Sequence, residues 1–235
     1  MNGNGKPKTA VDFAAARREM VERQIRGREI HSPRVLEAMA AVPRHLFVPS
    51  EHILEAYADG PLPIGEGQTI SQPFMVAAMA DALSLEAHEQ VLEIGAGSGY
   101  QAAVLSLLAR KVIAVEAQAS LAGATRERLA RLGYANVRIY QGDGSQGWPP
   151  GAEGETKYDA ILVTAAAPAI PPPLVEQLAE GGRLVIPVGT PEQQDLLRIV
   201  KRQGRTTEES LFACRFVRLT GRYGWSRSSE DASGR

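Results

Sequence analysis

Apolar residues in this chain gather in short, mostly unbroken blocks separated by stretches of helical period. The blocks Val91–Ile94, Lys111–Val115, Val137–Tyr140 and Tyr158–Val163 predict strands covered on both faces, as in a parallel sheet. Between them, 101–108 and 121–132 carry helical spacing. Pro171-Pro172-Pro173 opens a short helix over 174–178, which Gly181-Gly182 is expected to close. Three further strands, 183–187, 195–202 and 211–219, follow one another without helices, which predicts an antiparallel edge. Upstream, Phe74–Leu83 sets Val76, Met79, Ala80 and Leu83 on one helical face. Val11–Arg26 is helical with Phe13, Met20 and Ile25 inward, and Ser32-Pro33 caps and opens a second helix that ends before Pro43. The alternation predicts an α/β fold with a doubly wound, mostly parallel sheet behind a helical and irregular N-terminal extension.

The segment from Pro43 to Pro73 is long, irregular and rich in Gly and Pro. Structureless stretches of that length are uncommon in compact domains and are often functional. Ser71 near its end has two readings. Its hydroxyl can cap the helix that follows, with Pro73 close behind, or it can stand at a helix start as a polar group for an anionic substrate.

The block Val91–Ile94 runs into Gly95-Ala96-Gly97-Ser98-Gly99 and then a helix. Alternating glycines let backbone approach a ligand where a Cβ would interfere. In an open parallel sheet, nucleotide-like ligands sit at the carboxyl ends of such strands. The spacing is E-x-G-x-G-x-G, with Glu93 first, and not the G-x-G-x-x-G of dinucleotide enzymes. It points to S-adenosylmethionine, whose amino acid tail replaces a pyrophosphate. Glu116 ends the next strand and suits a ribose diol; Asp143, in Gly142-Asp143-Gly144 after the third, suits an adenine amino group. Small residues after Val163, among them Ala165 and Ala166, leave room for a ligand.

Composition narrows the remaining choices. The 235 residues suit one domain, expected over 11–221, with 11–83 covering the substrate and 84–221 forming the cofactor-binding sheet. The polar residues 1–10 and 222–235 read as a flexible leader and tail. Hydrophobic residues make up 44% of the chain and charged residues 23%, ordinary for a soluble protein. A net charge of -1 gives no argument for nucleic acid or an anionic membrane. No apolar run is long enough for a transmembrane helix, and the leader lacks the core of a secretory signal. One cysteine, Cys214, fits a reducing cytoplasm. His31, His45, His52 and His88 lack metal-ligand spacing, so no metal is expected.

Several stretches together resemble the protein-L-isoaspartate O-methyltransferase family: MVERQIRGR (20–28), VPRHLFVP (42–49), PLPIGEGQTISQPFMVA (61–77), VLEIGAGSGYQAAVL (91–105), GDGSQGW (142–148), YDAILVTAAA (158–167) and GGRLVIPVG (181–189). The resemblance implies a seven-stranded doubly wound sheet whose last strands are rearranged. It also implies an enzyme that moves the methyl of S-adenosylmethionine to the free α-carboxylate of L-isoaspartyl residues, leaving S-adenosylhomocysteine. The substrates implied are age-damaged proteins and isoaspartyl peptides, met by a monomer. Residue by residue, the resemblance assigns Ser71 as the active-site residue. Thr69, Ile70, Glu93, Gly95, Gly97, Gly99, Glu116, Asp143 and Gly144 fall to the cofactor, and Gln72, Ala165, Ala166 and Val188 join Ser71 on the substrate side.

The chain departs from the family at Ala117-Gln118, where a more polar pair is usual, and at Arg218, where proline is usual. Three other readings compete. A nicotinamide oxidoreductase shares the strand–glycine–helix logic, but the glycine spacing and the lack of a hydride-transfer pair oppose it. A non-enzymatic cofactor-binding adapter and a methyltransferase for small carboxylic acids are the other two.

Overall fold

A computed structural model describes residues 11–148 and 157–226. The expected leader and most of the expected tail lie outside the described residues. In chain order the elements are α1 (Phe13–Glu19), α2 (Pro33–Ala41), β1 (Leu62–Gly65), β2 (Gln68–Ile70), α3 (Pro73–Leu83), β3 (Gln90–Ile94), α4 (Tyr100–Ser106), β4 (Lys111–Glu116), α5 (Ala119–Arg131), β5 (Val137–Gln141), β6 (Tyr158–Val163), α6 (Pro172–Gln177), β7 (Leu178–Gly189), β8 (Gln194–Arg202) and β9 (Arg205–Cys214).

Seven strands form one sheet in the order β5-β4-β3-β6-β7-β8-β9. The pairs from β5 to β7 are parallel; β7–β8 and β8–β9 are antiparallel. The chain winds outward from β3 to β5, then restarts on the other side of β3 with β6. The switch point between β3 and β6 opens a crevice at the carboxyl ends of both strands, the position where open α/β sheets bind ligands. Strand burial explains the continuous apolar blocks: Val91, Leu92, Ile94, Val112–Val115 and Ala160–Val163 are all buried. Alternate residues serve two cores. Val91, Ala114 and Leu162 pack with Val76, Met79, Leu105 and Leu129, while Leu92, Ile113 and Ile161 pack with Leu174 and Leu178.

Four expectations change. Gly181-Gly182 lie inside β7 and close no helix; α6 ends at Gln177, and its successor Leu178 is already extended. The last strand runs over 205–214, and the chain then leaves the sheet. The tail boundary at 222 falls within an ordered turn. Arg222 and Tyr223 donate backbone N–H groups to Asp143 Oδ2 and Ser145 Oγ at 2.9 and 3.0 Å, and Trp225 donates to the Leu219 carbonyl at 2.7 Å. The N-terminal helix is regular only to Glu19, then widens to a π-helical stretch over 20–25 that buries Met20, Val21 and Ile25. Phe13 is half-buried and stacks on His45 at 4.2 Å.

The irregular segment is also less irregular than its composition suggests. Leu62–Gly65 and Gln68–Ile70 pair as an antiparallel hairpin around Glu66-Gly67, both in the left-handed region. Two-residue hairpin turns need that conformation, which glycine supplies without cost. Arg44 anchors the segment from behind. Fully buried, it donates Nε to the Ala56 carbonyl at 2.8 Å and lies over the Tyr100 ring at 4.9 Å. Burial lowers its pKa to about 10, against the opposing influence of Tyr100 and Tyr57.

At the amino ends of the parallel strands, Arg183 holds Glu89 with two hydrogen bonds, 2.6 and 2.8 Å, and caps the Leu83 and Ser84 carbonyls at 2.6 and 2.8 Å. Both side chains are nearly buried. Burial pushes the Glu89 carboxyl up, but the hydrogen bonds from Arg183 and the Glu86 N–H, with the Arg183 charge, hold it below its ordinary value of 4.5. A depressed carboxyl stabilises the fold above its unfolded pKa, and that contribution is lost as pH falls through the folded one. Glu89→Gln is therefore expected to lower Tm at pH 7, where a stranded buried partner costs about 3–5 kcal/mol. The gap from wild type should narrow steadily below about pH 4.5, near the unfolded carboxyl pKa. Melting curves from pH 3 to 8 check this; parallel profiles for the two proteins would contradict it.

Candidate active site

The crevice is built on the glycine turn after β3. Gly95 has φ +94° and a Cβ there would lie 2.5 Å from Thr164 Oγ1; Gly97 has φ +50°. An L side chain at Gly95 would be strained and would clash. The turn is fixed from three sides. Thr164 Oγ1 donates to the Ile94 and Gly95 carbonyls at 3.0 and 2.7 Å, Thr125 Oγ1 to the Gly97 carbonyl at 2.6 Å, and Arg128 to the Ser98 carbonyl at 2.9 Å.

Glu116, at the end of β4 and 6% exposed, accepts the Gly97 N–H at 2.8 Å through Oε2 and the Gln118 N–H at 2.9 Å through Oε1. The departure at Ala117-Gln118 leaves this unaffected, because Gln118 contributes its backbone. Thr69, Ile70, Ser71, Gly95, Gly97, Glu116, Gly144 and Ala165 all line one cleft. So do Gln101, Thr164 and the stretch Val217–Thr220.

Six of the anticipated residues stand elsewhere. Glu93 is fully buried beneath the turn, with no hydrogen-bond partner for either oxygen among the described residues. Burial, with the Glu116 charge adding to it, raises its carboxyl well above the ordinary range. Gly99 makes room for Thr125 and Leu129, which a Cβ would meet at 2.7 and 3.3 Å. Asp143 accepts four bonds: Ser145 N and Oγ on Oδ1, Gln146 Nε2 and Arg222 N on Oδ2. Those bonds outweigh the effect of burial and lower its pKa, and they occupy the carboxylate in tying the β5 loop to the C-terminal turn. Ala166 and Val188 bridge neighbouring backbone, Ala166 to Arg218 and Val188 to Ala167. Gln72 faces an outer groove and donates to Asp59 at 2.7 Å.

Neither proposed serine cap forms. Gln72 occupies the N-cap of α3, and Ser71 sits one residue before it, half-buried on the wall shared by the cleft and the outer groove. Ser32 is at the N-cap of α2 without a capping bond. Sequence reasoning missed Gln101, Thr164 and the strap after β9. Thr164 carried a signal, since it follows β6 as Gly95 follows β3; in the strap only Arg218 did, as a departure from the family's usual proline.

S-adenosylmethionine fits this cleft on two counts. Gly95 and Gly97 give close backbone approach, and Gln101 keeps a buried Nε2 donor at the cleft wall without a partner among the described residues. A family model for protein-L-isoaspartate(D-aspartate) O-methyltransferase matches residues 15–224. The chain belongs to that family. Two relatives named protein-L-isoaspartate O-methyltransferase illustrate how close the match is. One, from Methanoculleus marisnigri, is 56% identical over 209 residues, covering 89% of this chain and 93% of the relative. Another, from Syntrophus aciditrophicus, is 54% identical over 217 residues, covering 91% and 98%. Among solved structures, a protein-L-isoaspartate O-methyltransferase superposes with TM-score 0.79 at 28% identity, covering 88% of this chain and 67% of its own. A Plasmodium falciparum structure named for the same family, in complex with S-adenosyl-L-homocysteine, gives 0.74 at 27% identity, covering 87% and 98%. The antiparallel edge β7–β8–β9 and the glycine turn both lie within the matched residues. Among the described residues, no helix is long and apolar enough to cross a membrane.

Proposed function

We infer that this protein transfers the methyl group of S-adenosylmethionine to the free α-carboxylate of L-isoaspartyl residues in damaged proteins and peptides. The observation that carries this reading is the position of Ser71. Its residue lies on the wall between a cleft lined by the glycine turn and Glu116 and a groove open to the outside.

The cofactor supplies an electrophilic methyl group held on a positively charged sulfur. A peptide carboxylate has a pKa of about 3.5 and is already ionised at neutral pH, so no general base is required. That accords with a cleft that offers backbone, hydroxyl and amide groups around Ser71, Thr164 and Gln101. The work left to the chain is alignment of oxygen, methyl and sulfur, which is catalysis by proximity. In this reading Glu116 takes the ribose hydroxyls, and Thr69 and Ile70 lie against the methionine end. Ser71, with backbone N–H groups nearby, positions the carboxylate, and Ala165 leaves space for it. The hairpin β1–β2 and residues 11–83 close the substrate side. Asp143 acts through the loop it braces.

The same reading has the chain act as a monomer in the cytoplasm, without nucleic acid; the single cysteine and net charge of -1 support it. The ester formed loses methanol without further help from the protein, giving a succinimide that opens partly to aspartate.

Labelled S-adenosylmethionine and two peptides differing only in an isoaspartyl or aspartyl linkage test the proposal. Base-labile label should appear on the isoaspartyl peptide alone. Equal labelling of both, or of neither with the cofactor bound, would overturn it.

A further inference from the structure

Beyond Ser71 the cleft opens into an outer groove of about 840 Å³, the two sharing Thr69, Ser71, Thr164, Val217 and Arg218. Its floor is apolar, with Phe74, Met75, Phe212 and Phe216, and its lining contains three arginines and no acidic residue. The arginines are not equivalent. Arg28 is ion-paired with Asp59 and lies over the Phe74 ring at 5.2 Å. Arg215 and Arg218 are exposed and have no ion-pair partner among the described residues. Asp195, paired with Ala213 on the neighbouring strand, is not among the lining residues.

The backbone that carries these two cations is fixed. Phe216 N–H donates to Gln194 Oε1 at 2.9 Å; Gln194 is 1% exposed. Ala166 N–H donates to the Val217 carbonyl, and Leu219 N–H to the Ala166 carbonyl, both at 2.7 Å. Arg218 sits between those two bonds, at the mouth of the cleft, and Arg215 stands just before the anchored Phe216. Two unpaired guanidinium groups on a braced strap, over an apolar floor beside the reacting position, complement an extended peptide with negative side chains.

Resting on the methyl-transfer reading above, we propose that this groove receives the residues flanking the isoaspartyl site and that Arg215 and Arg218 make the enzyme prefer acidic flanks. Side-chain carboxylates of the peptide pair with the guanidinium groups while apolar neighbours lie on the phenylalanines. Lysine-rich flanks are disfavoured by the same charges. The preference acts through exposed charges, so it weakens with salt.

The test uses the full chain and three isoaspartyl peptides of equal length with glutamate, serine or lysine flanks, read by kcat/KM for label transfer. At low ionic strength the glutamate peptide should exceed the lysine peptide by about tenfold, and the ratio should shrink toward unity in about 0.5 M salt. The double variant R215E/R218E should reverse the order, with lysine flanks now favoured; a gain on one peptide cannot come from misfolding. Equal values for the three peptides, or an order that survives the charge reversal, would overturn the proposal alone. Absence of transfer to every isoaspartyl peptide would overturn the methyl-transfer reading and this proposal with it.

Discussion

Glu116→Ala is expected to raise the Kd for S-adenosylmethionine by about a hundredfold or more. The carboxylate is buried and accepts the N–H groups of Gly97 and Gln118, so it shapes the glycine turn and faces the cleft at once. Truncation strands two half-buried donors, at about 1–3 kcal/mol each, and removes the proposed ribose contact. About 3 kcal/mol in total is roughly two orders of magnitude in affinity. Glu116→Gln keeps one acceptor oxygen and should lose about tenfold. Titration calorimetry of both variants checks the pair, and an unchanged Kd in Glu116→Ala would show that neither role holds.

Ser71→Ala should lower kcat/KM on an isoaspartyl peptide by about ten- to a hundredfold, the loss of one hydrogen bond to a charged oxygen at roughly 1.5–3 kcal/mol. The fold should hardly notice. Gln72 is the N-cap of α3 and no capping bond from Ser71 exists to lose. Ser71→Thr, which keeps the hydroxyl, should recover part of the rate. A Tm drop of several degrees with catalysis intact would return Ser71 to a structural role.

The two serines show why local sequence rules read the elements well and the site only in part. Ser-x-Pro before an apolar helical stretch satisfies the signature of a cap, yet Pro73 begins the helix and Gln72 takes the cap position, which moves Ser71 one step out to the cleft wall. The glycine turn, by contrast, was legible because its demands are backbone demands: positive φ and a missing Cβ can be read from residue type alone. Buried parallel strands were legible for the same reason, since continuous apolar runs follow from cover on both faces. Glu93 and Asp143 sit at motif positions, but sequence spacing cannot tell a carboxylate that meets the ligand from one held beneath the turn or spent on bracing a loop.

The C-terminal strap was the least legible part. Residues 215–219 read as the end of the last strand, but the path over 215–225 is set by long-range partners, Gln194, Ala166, Asp143 and Ser145. The strap brings Val217–Thr220 to the cleft and Arg215 and Arg218 to the groove. The one residue there that stood out in sequence, Arg218, did so as a departure from the family's usual proline. Its own N–H takes no part in the two bridge bonds, which go through Val217 and Leu219.

Repair itself is the central claim, and following one peptide through it is the most direct measurement. An isoaspartyl peptide is incubated with the protein and S-adenosylmethionine, and the isoaspartyl and aspartyl forms are separated over time. The account predicts that the aspartyl form accumulates through succinimide, only with cofactor present, and more slowly with the Ser71→Ala protein. An isoaspartyl peptide that stays unchanged while the cofactor is bound would contradict it.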